Sequence, residues 1–169
     1  MTVFETTRLT IRHFNLDDAP FIVELVNDPA WLRFIGDRGV RTIEDAAGYL
    51  TKGPFASYAK HGFGLFLVAR REDGIPLGMC GLLKRDVLPA VDLGFAYLPR
   101  FGGCGYALEA ATATVAYARD VHGLKRLLAI TSPDNDRSIR LLGKLGFVFE
   151  KSLQLTEGAP ASNLYEKTL

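Results

Sequence analysis

Residues 90–118 read AVDLGFAYLPRFGGCGYALEAATATVAYA, and the rest of the chain is organised around this stretch. The run Val91–Leu98 predicts a strand, Pro99 ends it, and Gly102-Gly103-Cys104-Gly105 predicts a turn. A helix follows from Gly105 to about Val121, with Leu108, Ala111, Val115 and Ala118 at helical spacing on one stripe. Its many alanines let it lie close to a sheet. A strand feeding a glycine turn that opens a helix is one way to build an anion site. Glycines allow close backbone approach, the first helical N–H groups lack intrahelical partners, and the helix dipole adds partial positive charge there.

Upstream, Leu9–Phe14 is β-prone, with Leu9, Ile11 and His13 on one face. Asn15-Leu16-Asp17-Asp18 caps a helix carrying Phe21, Ile22, Leu25 and Val26, which stops at Asn27-Asp28-Pro29. Trp31–Gly39 reads as irregular, aromatic and basic. Thr42 with Asp45 resembles a capping box for a helix that ends at Gly53-Pro54. Phe63–Arg70 and Ile75–Lys84 form a hairpin about Glu72-Asp73-Gly74. Downstream, Leu127–Thr131 is a buried strand. Ser132-Pro133-Asp134-Asn135 then caps a short helix with Ile139, Leu142 and Leu145 inward and Gly146 as its stop. Phe147–Leu155 and Asn163–Thr168 close the chain as a strand pair. This order indicates an α/β or α+β fold, a central sheet covered by helices.

Composition bounds the function. The chain has 169 residues, 48% of them hydrophobic and 23% charged, with net charge +1; this is the profile of one ordinary globular domain, residues 1–169. So small a net charge gives no field for nucleic acid or an acidic membrane. No apolar run spans a bilayer and no signal peptide is evident, so a cytoplasmic protein is expected. Cys80 and Cys104 are too few for a disulfide framework or zinc cluster, and His13, His61 and His122 have no ligand spacing, so no metal is expected.

The glycine turn alone is ambiguous: it can be a plain strand-to-helix turn. A dinucleotide fingerprint fails because Leu108 stands at the third glycine position, and a Walker loop fails for want of Lys-Ser or Lys-Thr. Arg100-x-x-Gly103-x-Gly105, followed by Tyr106-Ala107-x-Glu109-Ala110, resembles the acyl-CoA pyrophosphate loop of the GNAT acetyltransferase superfamily. Asn135-x-x-Ser138 through Leu145-Gly146-Phe147 resembles that family's second motif. Thr7-Arg8-Leu9-Thr10-Ile11-Arg12 with Asn27-Asp28-Pro29 is similar to the opening of RimJ/RimL-type members. Cys104, Gly102 and Thr7 depart from the usual residues at their positions. The resemblance implies a GNAT fold: a mixed, largely antiparallel twisted sheet of about six to seven strands flanked by about four helices. It also implies that the sheet splays at the strand before the Arg100–Gly105 loop.

The resemblance further implies acetyl-CoA as cofactor and acetyl transfer to a primary amine, either a protein N-terminus or a small molecule. Cofactor contacts would come from Phe95, Ala96, Tyr97, Arg100, Phe101, Gly102, Gly103, Cys104, Gly105, Tyr106, Ala107, Asn135 and Ser138. A backbone N–H around Phe95–Tyr97, at a bulge, would stabilise the oxyanion. No Ser-His-Asp or Cys-His set is evident, so direct attack is expected.

Asp92, in Asp92-Leu93-Gly94-Phe95, is the candidate base; its other reading is a polar residue on a solvent-facing strand position. Proton transfer from an α-amine to an unshifted Asp costs about 5 kcal/mol, against about 9 from lysine, which favours a low-pKa amine. Many relatives protonate the leaving thiolate with a Tyr where this chain has Leu142. Ser138 is the substitute, although its position also suits ordinary helix-start chemistry. Trp31, Arg33, Phe34 and Tyr97 are candidate walls of the acceptor site, with core packing as the alternative. Cys104, at a helix N-terminus, sits where thiol pKa values fall. The expected assembly is a monomer or homodimer, and an acyl-CoA-binding module with little catalysis is the alternative function.

Overall fold

The computed structural model describes residues 1–169. Two short strands, β1 (Thr2–Glu5) and β2 (Leu9–Arg12), open the chain, followed by α1 (Ala19–Val26), α2 (Pro29–Phe34), α3 (Ile43–Leu50) and α4 (Ala56–His61). The hairpin β3 (Leu65–Arg70) and β4 (Pro76–Leu83) leads to β5 (Asp92–Tyr97) and the long helix α5 (Tyr106–Asp120). β6 (Arg126–Thr131), α6 (Asp136–Lys144), β7 (Val148–Leu153) and β8 (Ser162–Thr168) complete it. The strands form one sheet in the order β1-β2-β3-β4-β5-β6-β8-β7. All pairs are antiparallel except β5 with β6. The eighth strand beyond the expected count is β1, too short and too exposed to carry an alternating apolar signal.

Two other expectations are corrected. Trp31–Gly39 is not wholly irregular: Asp28 caps α2 by accepting the Ala30 N–H at 2.9 Å, and Pro29 takes the first helical position, where no N–H is needed. Gly53-Pro54 does not end the helical run either. A wide π turn over Thr51–Phe55 carries it into α4, and widening the turn accommodates a ring that lacks an N–H. The capping box at Thr42 and Asp45 forms in both directions. A second box at Asn15 and Asp18 closes the short 3-10 turn before α1. Arg12 grips Asp18 through two bonds of 2.9 and 2.8 Å.

Strand alternation divides the core between the two faces of the sheet. Phe66, Val68 and Leu93 pack with Ala110, Ala111, Val115 and Ala118 of α5, with Leu142 of α6 and with Leu145 at its C-cap. Leu67, Ala69, Met79 and Leu98 face Ile22, Leu25, Val26 and Leu50 of α1 and α3. The alanine stripe of α5 lies fully buried, as does Thr114. No helix is long and apolar enough to cross a membrane.

The three histidines, scattered in sequence, converge in one aromatic cluster. His13 stacks on Tyr58 and Phe66 at 4.2 and 5.5 Å, His61 on Phe63 at 5.4 Å, and His122 meets both Phe63 and Tyr117 edge-on. Burial holds the His13 and His122 imidazoles below their ordinary pKa, and the N-terminal charge adds to the effect at His13. The folded state therefore favours the neutral rings. Their contribution is complete above the unfolded value and declines as pH falls through it. His13→Phe, which keeps the stack, should flatten the loss of urea stability between about pH 7.5 and 5.5; an unchanged slope would remove His13 from that role.

Candidate active site

β5 and β6 pair only at Asp92 with Leu128, where the Leu128 N–H donates to the Val91 carbonyl at 3.0 Å. Beyond that point they part, and the sheet splays as expected. No bulge accompanies the splay: the β4–β5 register runs without a shift from Leu83–Asp92 to Gly78–Tyr97. The Leu98 N–H bonds to Leu77 on the β4 side, whereas the Val91 carbonyl points to β6. Strand alternation therefore turns the N–H groups of Phe95 and Tyr97 toward the opening. A regular strand whose neighbour departs presents free donors without needing a bulge.

A cleft of about 980 Å³ occupies this parting and extends beneath α2 and α3. Trp31, Phe34, Asp92, Phe95, Ala96, Asn135 and Ser138 all line it. At its closed end Asp92 is 1% exposed, which excludes the solvent-facing reading. Arg85 donates from Nε to both carboxylate oxygens at 3.3 Å. Burial pushes the Asp92 carboxyl up to about 6, and Arg85 partly opposes the shift. A carboxylate poised near neutrality in a cleft is suited to proton transfer.

Asn135 caps α6, its Oδ1 accepting the Ser138 N–H at 3.3 Å. Capping thus turns Ser138 to the cleft mouth while Leu142, one turn on, is 1% exposed in the core. Tyr97 differs from expectation: its hydroxyl is buried without a hydrogen-bond partner, beside Cys80, on the core side of the strand. Arg33 lies outside the cleft, paired to Asp134 at 3.3 Å and lying over the Phe34 ring.

At the mouth, Gly103 and Gly105 take φ of 79° and 81°, which L-residues with a Cβ seldom adopt. Gly105 caps α5 without a side-chain bond. The first intrahelical donor is the Glu109 N–H, bonded to Gly105 at 3.1 Å. The N–H groups of Tyr106, Ala107 and Leu108 are consequently free of helical partners. Arg100 turns away to pair with Glu24 on α1 and lies over Phe101. Cys104 is exposed, with Sγ 3.8 Å from the Gly102 carbonyl.

Two arginines that motif reading missed complete the turn. Arg8 donates Nε to Glu109 at 3.0 Å and Nη1 to the Cys104 carbonyl at 2.8 Å, with its guanidinium over Tyr106. It thereby neutralises a carboxylate that would repel an anion at the helix start. Arg137 packs on Gly102, where a Cβ would come within 2.8 Å of its Nη2. These pairings join residues far apart in sequence, so only Thr7-Arg8-Leu9, as a motif, could have hinted at the first.

The turn, the free β5 donors and the absence of a Cβ at Gly103 leave room for a pyrophosphate and an extended arm. No group of three or more His, Cys, Asp or Glu side chains could hold a metal. A sheet parted beside a helix N-terminus, with a buried carboxylate at the parting, is the arrangement that the resemblance to acetyltransferases implies. Residues 8–148 match the acetyltransferase (GNAT) domain family, and the chain belongs to it. The protein named uncharacterized N-acetyltransferase YnaD, of Bacillus subtilis strain 168, is 30% identical over 141 residues, covering 83% of this chain and 79% of its own. The GNAT-family acetyltransferase of Bacillus anthracis superposes with a TM-score of 0.81 at 25% identity, covering 99% of this chain and 98% of its own. RimL, the ribosomal L7/L12 α-N-protein acetyltransferase solved with coenzyme A, shares the fold with a TM-score of 0.85 at 16% identity, covering 100% and 98%.

Proposed function

We propose that this acetyltransferase moves an acetyl group from acetyl-CoA to a primary α-amine, either a protein N-terminus or a small molecule. The observation that carries the reading is the buried Asp92 at the apex of the strand parting, with its carboxyl raised to about 6. At that value, taking a proton from an α-amine costs about 2.5 kcal/mol, roughly half the cost for an unshifted Asp. The same step from a lysine still costs about 6 kcal/mol, so the preference for an α-amine persists.

Bound acetyl-CoA would supply an activated acyl thioester. Gly103 to Leu108 would hold its pyrophosphate through backbone N–H groups, and Phe95 and Tyr97 would hold the arm and acyl oxygen. Asp92 takes the amine proton through water. Ser138 hydrates or donates to the departing sulfur. RimL, which has the same fold, is solved with coenzyme A, in keeping with this choice of cofactor.

CoA release from acetyl-CoA over a panel of peptide N-termini, free amino acids, lysine, polyamines and aminoglycosides tests the reading. Release with acceptors that offer only an α-amine, ahead of ε-amines and polyamines, is expected. No release with any acceptor, alongside intact CoA binding, would favour an acyl-CoA-binding module instead; the buried Leu142 in place of a tyrosine donor is the observation on that side. Ser138→Ala should lower kcat about tenfold or more with little change in the KM for acetyl-CoA. A proportional rise in that KM would make Ser138 a binding group only.

A further inference from the structure

The acceptor end of the cleft carries cations that the chemistry above does not use. Ten of the thirteen arginines are paired to carboxylates within the chain. The exceptions are Arg38, Arg137 and Arg140, and of these Arg38 alone lines the cleft. It sits in the loop between α2 and α3. Tyr49, on α3, lies in the electrostatic field of both Arg38 and Arg85, and all three line the same cavity as Asp92. Arg85 spends only its Nε on Asp92, so its two Nη groups remain available as a donor fork.

The other charges of this region do not cancel the arrangement. Asp45 is taken up by the N–H groups of Arg41 and Thr42 in its capping box. Glu44 and Lys52, one charge of each sign, also line the cleft. An amine approaching Asp92 therefore meets a carboxylate already held by the Arg85 guanidinium, in a cleft that Arg38 also lines. A purely cationic acceptor is repelled there. An acceptor that carries its own anion turns the repulsion into a charge-assisted bond.

We propose that Arg38, Tyr49 and the Nη groups of Arg85 form an anion subsite, and that the acceptor is a small amine bearing its own carboxylate or phosphate close to the nitrogen. The amine faces Asp92 while the anion occupies the arginine pair. This inference rests on the acetyl-transfer reading for the placing of the amine. It goes further in separating amphoteric acceptors from amides, peptide N-termini and polyamines by recognition of the anion, which has to outweigh the tighter hold of such an amine on its proton.

Binding to the CoA-loaded protein tests it without turnover. Glycine, L-alanine, L-methionine and L-phenylalanine are each titrated against the matching primary amide, and O-phosphoethanolamine against ethanolamine, by calorimetry. At least one acid form should bind about tenfold or more tighter than its partner lacking the anion, the worth of one hydrogen-bonded charge pair. Which pair shows the preference tells carboxylate from phosphate. Arg38→Gln should bring that ratio close to one, and Arg38→Lys should restore part of it. Amides binding as tightly as acids, a preference that survives Arg38→Gln, or no binding by any probe would each overturn the subsite. Failure of the acetyl-transfer reading shows separately, as absence of CoA release from acetyl-CoA with acceptors that do bind.

Discussion

Asp92→Asn should lower kcat by about two orders of magnitude or more while leaving the Kd for CoA within about twofold. The substitution keeps the shape of a side chain that is 1% exposed and removes only its capacity to take a proton. In the wild-type protein kcat/KM should rise with pH through the Asp92 value of about 6, and this limb should vanish in the variant. Retention of kcat, or persistence of the limb, would remove Asp92 from the chemistry. Stability should move the other way. A carboxyl whose folded pKa lies about 2 units above its ordinary value favours its protonated form in the fold, a difference of about 3 kcal/mol. That contribution is complete below about pH 4 and is lost as pH rises through about 6. At neutral pH the ionised Asp92 therefore strains the fold, although Arg85 returns part of the cost. The Asn variant should melt no lower than wild type at pH 7 and relatively lower near pH 4. Activity and stability that part in this way mark a residue kept for function.

The fold was legible where local chemistry decides it. Pro99, the glycine turn and the alanine stripe of α5 each have a local cause, and the strand–turn–helix unit formed with bounds close to those expected. The cap at Asn15 and the capping box at Thr42 were legible for the same reason. β1 and the π turn were not, because the first is held by pairing with β2 and the second by packing around Pro54. At the site, Asp92 stood out as a carboxylate on a particular strand, but its burial depends on β6 pairing beside it. Arg85 joins it from seven positions away across a loop. The orientation of Tyr97 was equally hidden: strand parity puts its ring with Leu93 on the α5 face, and only the pairing register sets that parity. Backbone motifs travel in sequence. Side-chain partnerships across a sheet do not.

The register also makes β4 the least forgiving strand near the site. A Cβ added at Gly78 would lie 2.2 Å from the Ala96 carbonyl oxygen and 2.8 Å from the Tyr97 Cα. Both are backbone atoms of β5, so no rotamer change relieves the contact and the strand itself must move. Gly78→Ala should therefore cost about 2–4 kcal/mol in urea unfolding with an unchanged m-value, at the upper end of overpacking effects. The displacement falls on the segment whose free N–H groups face the parting, so CoA affinity should weaken together with stability. Gly94→Ala supplies the contrast. Its Cβ would meet the Leu83 Cδ1 at 3.0 Å, the movable end of a side chain, and the cost should stay below about 1 kcal/mol. If both variants unfolded at the same urea concentration, close approach of β4 to β5 would not be what holds the parted strand in place. If Gly78→Ala alone fell while its CoA affinity stayed at the wild-type value, the β5 donors would be rigid for some other reason, and the cofactor arm would have to be held from β6 and α6.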